Sequence, residues 1–301
     1  MNIMERAVPT DGGVRYLIGE FVHEGFYHVY EGKLLHSEKG LQSLLVLEHP
    51  FWKRILFING LVQFTLRDEF IYHEAIVHIP VQAMPEGRIK RVLICGGGDL
   101  GAAREVLKYP EVEEVIVADI DPKVTEIVRG FFPELMPPSS HISRLKLIHT
   151  DAFRLAKEYV SKGETFDLVI VDSTDPDVSS ERPVELSHSL FGREFHELLK
   201  ILAPNGIIVQ QAGTPFTMKN ILETCLKTFR EVYPPQEVFC YRANIPSFGG
   251  DSAFVIRSQA DPKTPKRNSL PDLKYYNHDL HTTSFSLPEF WKEVVSLAVK
   301  K

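Results

Sequence analysis

The sequence predicts an α/β protein in two parts. A small antiparallel β domain covers residues 1–68, and a domain built on a mainly parallel sheet covers residues 69–301. Three observations carry this. Up to about Phe70 the apolar runs are short and broken by Glu-Gly, Lys-Gly and Asn-Gly, as strands and turns are. From Arg91 onward, uniformly apolar runs alternate with helical segments; strands that apolar are buried on both faces, so helices must cover both sides of their sheet. Between the first such run and its helix lies "CGGGDLG", a glycine turn of the kind that admits a ligand close to the backbone.

The elements follow in order. "YHVYEGKLLHSEKG", "SLLVLEHP" and "RILFINGLVQFTLRD" supply the first strands. Asn59-Gly60 in the last of these is a two-residue hairpin turn, because both residues tolerate the positive φ that such a turn needs. "DEFIYHEAIVHIPVQAM" reads as a helix, with Asp68 placed to cap it, Phe70, Ala75, Ile76 and Ile79 forming an apolar side, and Pro80 marking its end. After the linker "PEGRIK", strands are expected at "RVLIC", "EEVIVADI", "LKLIHT", "FDLVIVDS", "NGIIVQQA" and "SAFVIRS". Helices are expected at "AAREVLKY", "DPKVTEIVRGFF", "DAFRLAKEYV", "REFHELLKIL" and "FTMKNILETCLKTFREV". "QADPKTPKRNSLPD" is polar and proline-rich, and is expected to be a surface loop.

Composition narrows the function. A net charge of -6 gives no reason to expect nucleic acid and is compatible with a cationic ligand. The three cysteines, Cys95, Cys225 and Cys240, are odd in number and sit among apolar residues, which points to buried free thiols in a reducing compartment. The first residues lack the apolar core of a signal peptide, and no apolar run is long enough to span a bilayer. A soluble cytoplasmic protein without a membrane partner is expected. The histidines, His149 and His281 among them, show no metal-ligand spacing.

In a sheet of this kind ligands bind at the carboxyl ends of the strands, and acidic residues recur there: Asp99, Asp119, Asp151, Asp172 and Asp175. Taken singly, aspartate is a common helix cap, and Asp121 and Asp151 are placed to start helices. Taken as a set at one edge of one sheet, the aspartates mark a binding site. Gly96, Gly97, Gly98 and Gly101 allow a tight turn. Asp119, at the end of the second strand, stands where an acidic residue bonds ribose hydroxyls, and Asp151 can accept from an adenine amino group. Asp99 then faces the far end of a nucleoside, where a carboxylate suits a cation and not a phosphate. The ligand is more like an adenosyl sulfonium than a dinucleotide. Asp172 and Asp175, in "DSTDP", can hold an ammonium group and take a proton from it.

Together the stretches "INGLVQFTLRDEFIYHE", "VLICGGGDLGAAREVLKYP", "VADIDPKV", "TDAF", "FDLVIVDSTDP", "VQQAG", "YRANIPSF" and "LKYYNHDLHTTSFSLPEF" make the chain resemble the spermidine synthases and related aminopropyltransferases, from about Leu34 to Val294. The resemblance implies an N-terminal β domain followed by a methyltransferase-like Rossmann domain. It implies transfer of the aminopropyl group of decarboxylated S-adenosylmethionine to an amine such as putrescine, releasing methylthioadenosine. By motif, Gly96 and Gly98 would admit the co-substrate and Asp99 would hold its ammonium. Asp119, where the family usually has Glu, would bind the ribose. Asp151 with Ala152 would meet the adenine, and Gln42 and Gln211 match glutamines on the co-substrate side. Asp172 would deprotonate the attacking amine. Tyr72, His73 and Asp175 would line the amine site, His73 as a local hydrogen-bonding residue and not a base, and Tyr241 would orient the amine. Without the motif, Tyr72 and Tyr241 read as packed core aromatics.

A sulfonium is already a good leaving group, so no metal or resident cofactor is expected; the decarboxylated nucleoside is a co-substrate. A homodimer or homotetramer assembled partly through the β domain is implied. The chain departs from the family pattern in two places. After "DSTDP" it carries "DVSSERPVELSHSLF", longer and more polar than the usual loop, and "IPSFGGDSAF" replaces the usual "IPTYPSGxxGF". The second resembles versions that accept longer amines, so spermidine, a thermospermine-type acceptor or agmatine are alternatives to putrescine. An amine N-methyltransferase using intact S-adenosylmethionine is a further alternative, opposed by Asp99, which would repel that cofactor's carboxylate. A non-catalytic polyamine- or nucleoside-binding protein is another, opposed by the presence of Asp172.

Overall fold

The computed structural model describes residues 4–10, 13–23, 26–174 and 189–297. Its first part is a six-stranded sheet in chain order: β1 (Met4–Thr10), β2 (Gly13–His23), β3 (Phe26–Lys39), β4 (Ser43–His49), β5 (Lys53–Ile58) and β6 (Leu61–Thr65). All neighbours are antiparallel. The β5–β6 turn is Asn59-Gly60, with φ of 52° and 82°, and the Asn59 side chain accepts the Ser43 N–H at 2.9 Å. Alternation along β4 sends Leu45 and Leu47 to one face, against Ile55 and Phe57. Leu44 and Val46 go to the other, where they meet Val124, Ile127, Val128 and Phe132 of the second part. Both faces of this hairpin are therefore apolar, and the second face fastens the sheet to the rest of the chain.

Helix α1 (Glu69–Gln82) follows, and it differs from expectation in three ways. It continues through Pro80, which lies in its last turn, so a bend there moves only the residues up to Gln82. It is buried all round and not along one side, with Ala75, Ile76, Val77, Ile79 and Val81 each 0% exposed, because it lies between the sheet and its neighbouring elements. Asp68 does not cap it; its carboxylate instead accepts from Thr65 Oγ1 (2.7 Å) and from the Ser247 N–H (2.8 Å), pinning the entry of the helix to a distant turn.

The second part alternates β7 (Arg91–Gly96), α2 (Gly101–Val106), β8 (Glu114–Asp119), α3 (Pro122–Phe131), β9 (Leu145–His149), α4 (Ala152–Ser161), β10 (Leu168–Asp172), α5 (Arg193–Leu202), β11 (Ile207–Gln211) and α6 (Lys219–Val232). It closes with β12 (Val238–Ile245), β13 (Gly250–Arg257), α7 (His278–Ser284) and α8 (Glu289–Leu297). The sheet order is β12-β13-β11-β10-β7-β8-β9. The strands β7 to β11 are parallel, while β13 runs antiparallel to β11 and β12. Strand β12 has no counterpart in the sequence reading: Arg242 and Asn244 interrupt its apolar pattern, as an edge strand permits. Strand order reverses at β7, which lies between β8 and β10, so the crevice for a ligand opens at the carboxyl end of β7.

Residues 259–272 have no regular structure, yet they are not simply a surface loop. Arg267 is 9% exposed, donates to the Met84 and Pro85 carbonyls and pairs with Glu111. The three cysteines are free and buried. Among the described residues no helix is long and apolar enough to cross a membrane.

Candidate active site

The glycine turn is built around two aspartates from neighbouring strands, the backbone carbonyl of one and the carboxylate of the other. Gly96 has φ +86°, and a Cβ there would lie 2.1 Å from the Asp172 carbonyl oxygen. That closeness lets the Gly97 N–H donate to the same oxygen at 2.9 Å, joining the ends of β7 and β10. The Gly98 N–H donates to Asp119 Oδ2 at 2.9 Å, and the Asp121 N–H donates to Oδ1 of the same carboxylate at 2.9 Å. A Cβ on Gly98 would stand 2.6 Å from Asp119 Cγ. Only glycine leaves room for the carboxylate to reach the turn.

Adjacent residues of α1 face Asp99 and Asp172: one pairs with the first and the other donates to the second. Tyr72 donates its hydroxyl to Asp172 Oδ1 at 2.5 Å, while His73 Nε2 is 3.5 Å from Asp99 Oδ2. The Gly101 N–H donates to Asp99 Oδ1 at 2.8 Å. Among the described residues Asp172 Oδ2 has no hydrogen-bond partner. Burial, then the negative charge of Asp99, pushes the Asp172 carboxyl up to about 7, with the His73 charge and the Tyr72 hydroxyl pulling the other way. Burial also raises Asp119, against the two N–H donors it accepts. Burial opposes ionisation of Asp99 too, but His73 and the Gly101 N–H outweigh it and hold Asp99 below the usual carboxylate range.

These groups border a cavity of about 480 Å³. Gly96, Gly98, Asp99 and Asp119 form one wall, with Asp151 and Ala152 beside them. Tyr72, Asp172 and Gln211 form another, and Gln42 reaches it from the first sheet. Asp151 also caps α4, accepting from the Phe153 N–H at 2.8 Å, as Asp121 caps α3. Gln211 spends its amide on backbone, donating to the Ser173 carbonyl (2.7 Å) and accepting from the Gly213 N–H (2.9 Å), so it shapes the wall. His73 does not border the cavity; it is 1% exposed and stands behind Asp99.

Tyr241 is a correction. It is 0% exposed, stacks on Phe254 with ring centroids 5.0 Å apart, and donates to the Ala75 carbonyl at 3.1 Å. It lies on β12, beyond β13 from the cavity, and so packs in the core. Asp175 and most of the long polar loop lie outside the described residues. No group of three or more His, Cys, Asp or Glu among the described residues is arranged to hold a metal ion; His281 bonds Tyr276 and the Pro262 carbonyl.

Residues 69–268 match the family described as Spermine/spermidine synthase domain. The chain belongs to the spermine/spermidine synthase family. It is 36% identical over 258 residues to a polyamine aminopropyltransferase of Thermoanaerobacter sp. (strain X514), covering 84% of this chain and 88% of that one. It is 35% identical over 288 residues to the spermidine synthase of Dictyostelium discoideum, covering 93% and 96%. The fold superposes on a crystal structure of spermidine synthase in complex with the transition state analogue AdoDATO, with a TM-score of 0.81, 27% identity and coverage of 97% and 98%. It also matches spermidine synthase from Thermotoga maritima, with a TM-score of 0.79, 26% identity and 97% of both chains.

Two residues that line the cavity, Gln63 and Phe248, were not singled out by the sequence pattern. Gln63 lines the cavity from β6 and accepts from Thr174 Oγ1 at 3.3 Å. Its signal was a polar residue alternating with buried Val62 and Phe64. Phe248 also lines the cavity, its ring 6.0 Å from that of Tyr72. It occupies the position of the tyrosine in the family's usual "IPTYPSGxxGF", so the substitution was visible while its place in the wall was not.

Proposed function

We propose that the protein is a spermidine synthase-like aminopropyltransferase that transfers the aminopropyl group of decarboxylated S-adenosylmethionine to a primary amine, with putrescine the expected acceptor. The observation that carries this is Asp172: a carboxylate at the edge of the cavity, with one oxygen that has no hydrogen-bond partner among the described residues and an acidity near neutrality. Such a group takes up a proton when an ammonium gives one up. Asp119 and Asp151 suit the ribose and adenine, and Asp99 suits the cationic end of the donor.

The freed amine nitrogen attacks the aminopropyl carbon bonded to sulfur. The new C–N bond forms as the C–S bond breaks, its electron pair returns to sulfur, and methylthioadenosine leaves as a neutral thioether. The proton from nitrogen goes to Asp172. Catalysis then comes from alignment and deprotonation, and the leaving group needs no metal. Gln42 and Gln211 belong to the co-substrate side in this reading. Tyr72 belongs to the amine side in this reading; Asp175, expected there by motif, lies outside the described residues.

Phe248 favours a second acceptor class. A ring without a hydroxyl makes that wall more apolar, which suits the methylene chain of a longer amine. The relatives' names support the reaction, and the buried free thiols fit a cytoplasmic setting. A homodimer or homotetramer is proposed from the resemblance. The test is a product assay with decarboxylated S-adenosylmethionine and, separately, putrescine, agmatine, cadaverine, spermidine and norspermidine, with parallel tubes of intact S-adenosylmethionine. Methylthioadenosine and a new polyamine in the first set support the proposal, and the fastest amine identifies the acceptor. Product only with the intact cofactor would make the protein a methyltransferase. Asp172→Asn should keep methylthioadenosine binding and lose most turnover.

A further inference from the structure

His73 is flanked by acceptors on both ring nitrogens. Nδ1 is 2.6 Å from Glu69 Oε2, and Nε2 is 3.5 Å from Asp99 Oδ2. An ionised carboxylate only accepts, so a ring held between two of them carries a proton on each nitrogen. Glu69 is itself anchored: Arg104 donates to its two oxygens at 3.2 and 2.8 Å. Arg104 is held in turn by Glu105 Oε1 at 2.9 Å and the Glu134 carbonyl at 3.0 Å. The seat of the ring is tight, since a Cβ on Gly101 would come within 2.3 Å of it. Tyr72, whose hydroxyl serves Asp172, packs edge-on against the ring at 5.4 Å. A row of alternating charges, Arg104, Glu69, His73 and Asp99, thus runs from α2 through the first turn of α1 to the cavity.

We propose that Glu69, anchored by Arg104, is a positioning residue for the reaction: it clamps the His73 ring so that Nε2–H is turned toward Asp99, and thereby keeps Asp99 an ionised anchor for the cationic end of the sulfonium donor. This rests on the aminopropyltransferase reading. The groups facing the ring are Glu69 and Tyr72 on its own helix and Asp99 on the glycine turn, with Arg104 behind Glu69 and Asp172 beside Asp99. Burial would discharge the ring, but Asp99 and Glu69 together raise His73 to about 10. Glu69 is held down to about 2 against its own burial by His73 and Arg104. In Glu69→Gln the ring loses one of its two counter-charges, and only Asp99 is left to hold its second proton. A neutral amide, which can donate as well as accept, does not fix the ring as the anchored carboxylate does, so at high pH the single remaining proton is no longer clamped on Nε2 toward Asp99. Asp99 keeps the Gly101 N–H but loses the charged partner held against its other oxygen, although no residue of the cavity wall has changed.

The alternative is that Glu69 and Arg104 only fasten α1 to α2. Dissociation constants for decarboxylated S-adenosylmethionine and for methylthioadenosine, which lacks the ammonium, separate the two. At pH 8.5 Glu69→Gln should bind the decarboxylated donor about tenfold more weakly and methylthioadenosine unchanged. The difference should shrink toward pH 6, where the ring regains its second proton. Equal weakening of both ligands, or a loss independent of pH, would overturn the proposal.

Nitrogen-15 spectra of histidine-labelled wild type, with the His73 signals assigned by their absence in His73→Gln, should show both ring nitrogens protonated at pH 8. A neutral ring there would overturn the proposal without any Glu69 variant having to fold. Neither measurement requires turnover. A wild type that makes no product with any amine would therefore refute the function and leave the role of Glu69 separately judged.

Discussion

Asp172→Asn should make the protein more stable as well as inactive, by an amount that depends on pH. Asp172 is raised from the ordinary 3.8 to about 7. Between about pH 4 and 7 the carboxyl is protonated in the folded protein and ionised in the unfolded chain, so folding takes up a proton there. Its contribution is fully present below pH 4 and is lost as pH rises through 7. The slope is about 1.4 kcal/mol per pH unit. Moving from pH 5.5 to 8.5 crosses the upper half of that window and costs the wild type up to about 2 kcal/mol that asparagine, with no proton to take up, does not lose. Water reaching the carboxylate from the cavity reduces this figure. Urea denaturation and thermal melting of the empty proteins at several pH values measure it, and for a chain of this size the melting-point gap should widen by about 5 °C at most. A gap that is constant with pH, or a variant less stable than wild type at pH 8.5, would refute the placement of a buried carboxyl raised to about 7 at residue 172.

Four further outcomes are expected. The rate at low amine concentration should rise with pH through about 7 as Asp172 ionises. Tyr72→Phe should move that limb upward by about one pH unit, because it removes a donor that favours the ionised form; initial rates with one amine compare the two, and an unmoved limb would detach it from Asp172. Asp99→Asn should weaken the decarboxylated donor by about tenfold or more while barely affecting methylthioadenosine, and equal weakening in competition binding would sink the assignment of Asp99 to the ammonium. Tyr241→Phe should cost about 1 kcal/mol in denaturant unfolding, since the Ala75 carbonyl loses its donor, and should leave the amine KM as it was; a large change in KM would return Tyr241 to the site.

Much of the fold was legible in the sequence because it depends on local chemistry. Apolar runs long enough to be buried on both faces become parallel strands wherever helices follow them, and Asn59-Gly60 makes its turn from its own backbone preferences. Aspartates that end such strands gather at one edge of the sheet whatever the order of the strands, so Asp99, Asp119, Asp151 and Asp172 could be read as a set. The glycines beside them were legible for a similar reason, although their specific partners, the Asp172 carbonyl and the Asp119 carboxylate, were not.

Tertiary structure decided what rests on residues far apart in the chain. Tyr72 bonds Asp172, a hundred positions away, and Tyr241 packs behind Phe254, yet both are tyrosines in matching motifs. Pro80 stays inside α1 because the surrounding core holds that helix, and Asp68 leaves its capping position because a remote turn offers a donor. Gln42, Gln63 and Phe248 join the wall only when the first sheet and the turn before β13 close over the glycine loop. The acidity of Asp172 and the double protonation of His73 are properties of no single residue. They follow from three carboxylates and one imidazole held together out of water, where each charge is set by its neighbours and by the solvent it has lost.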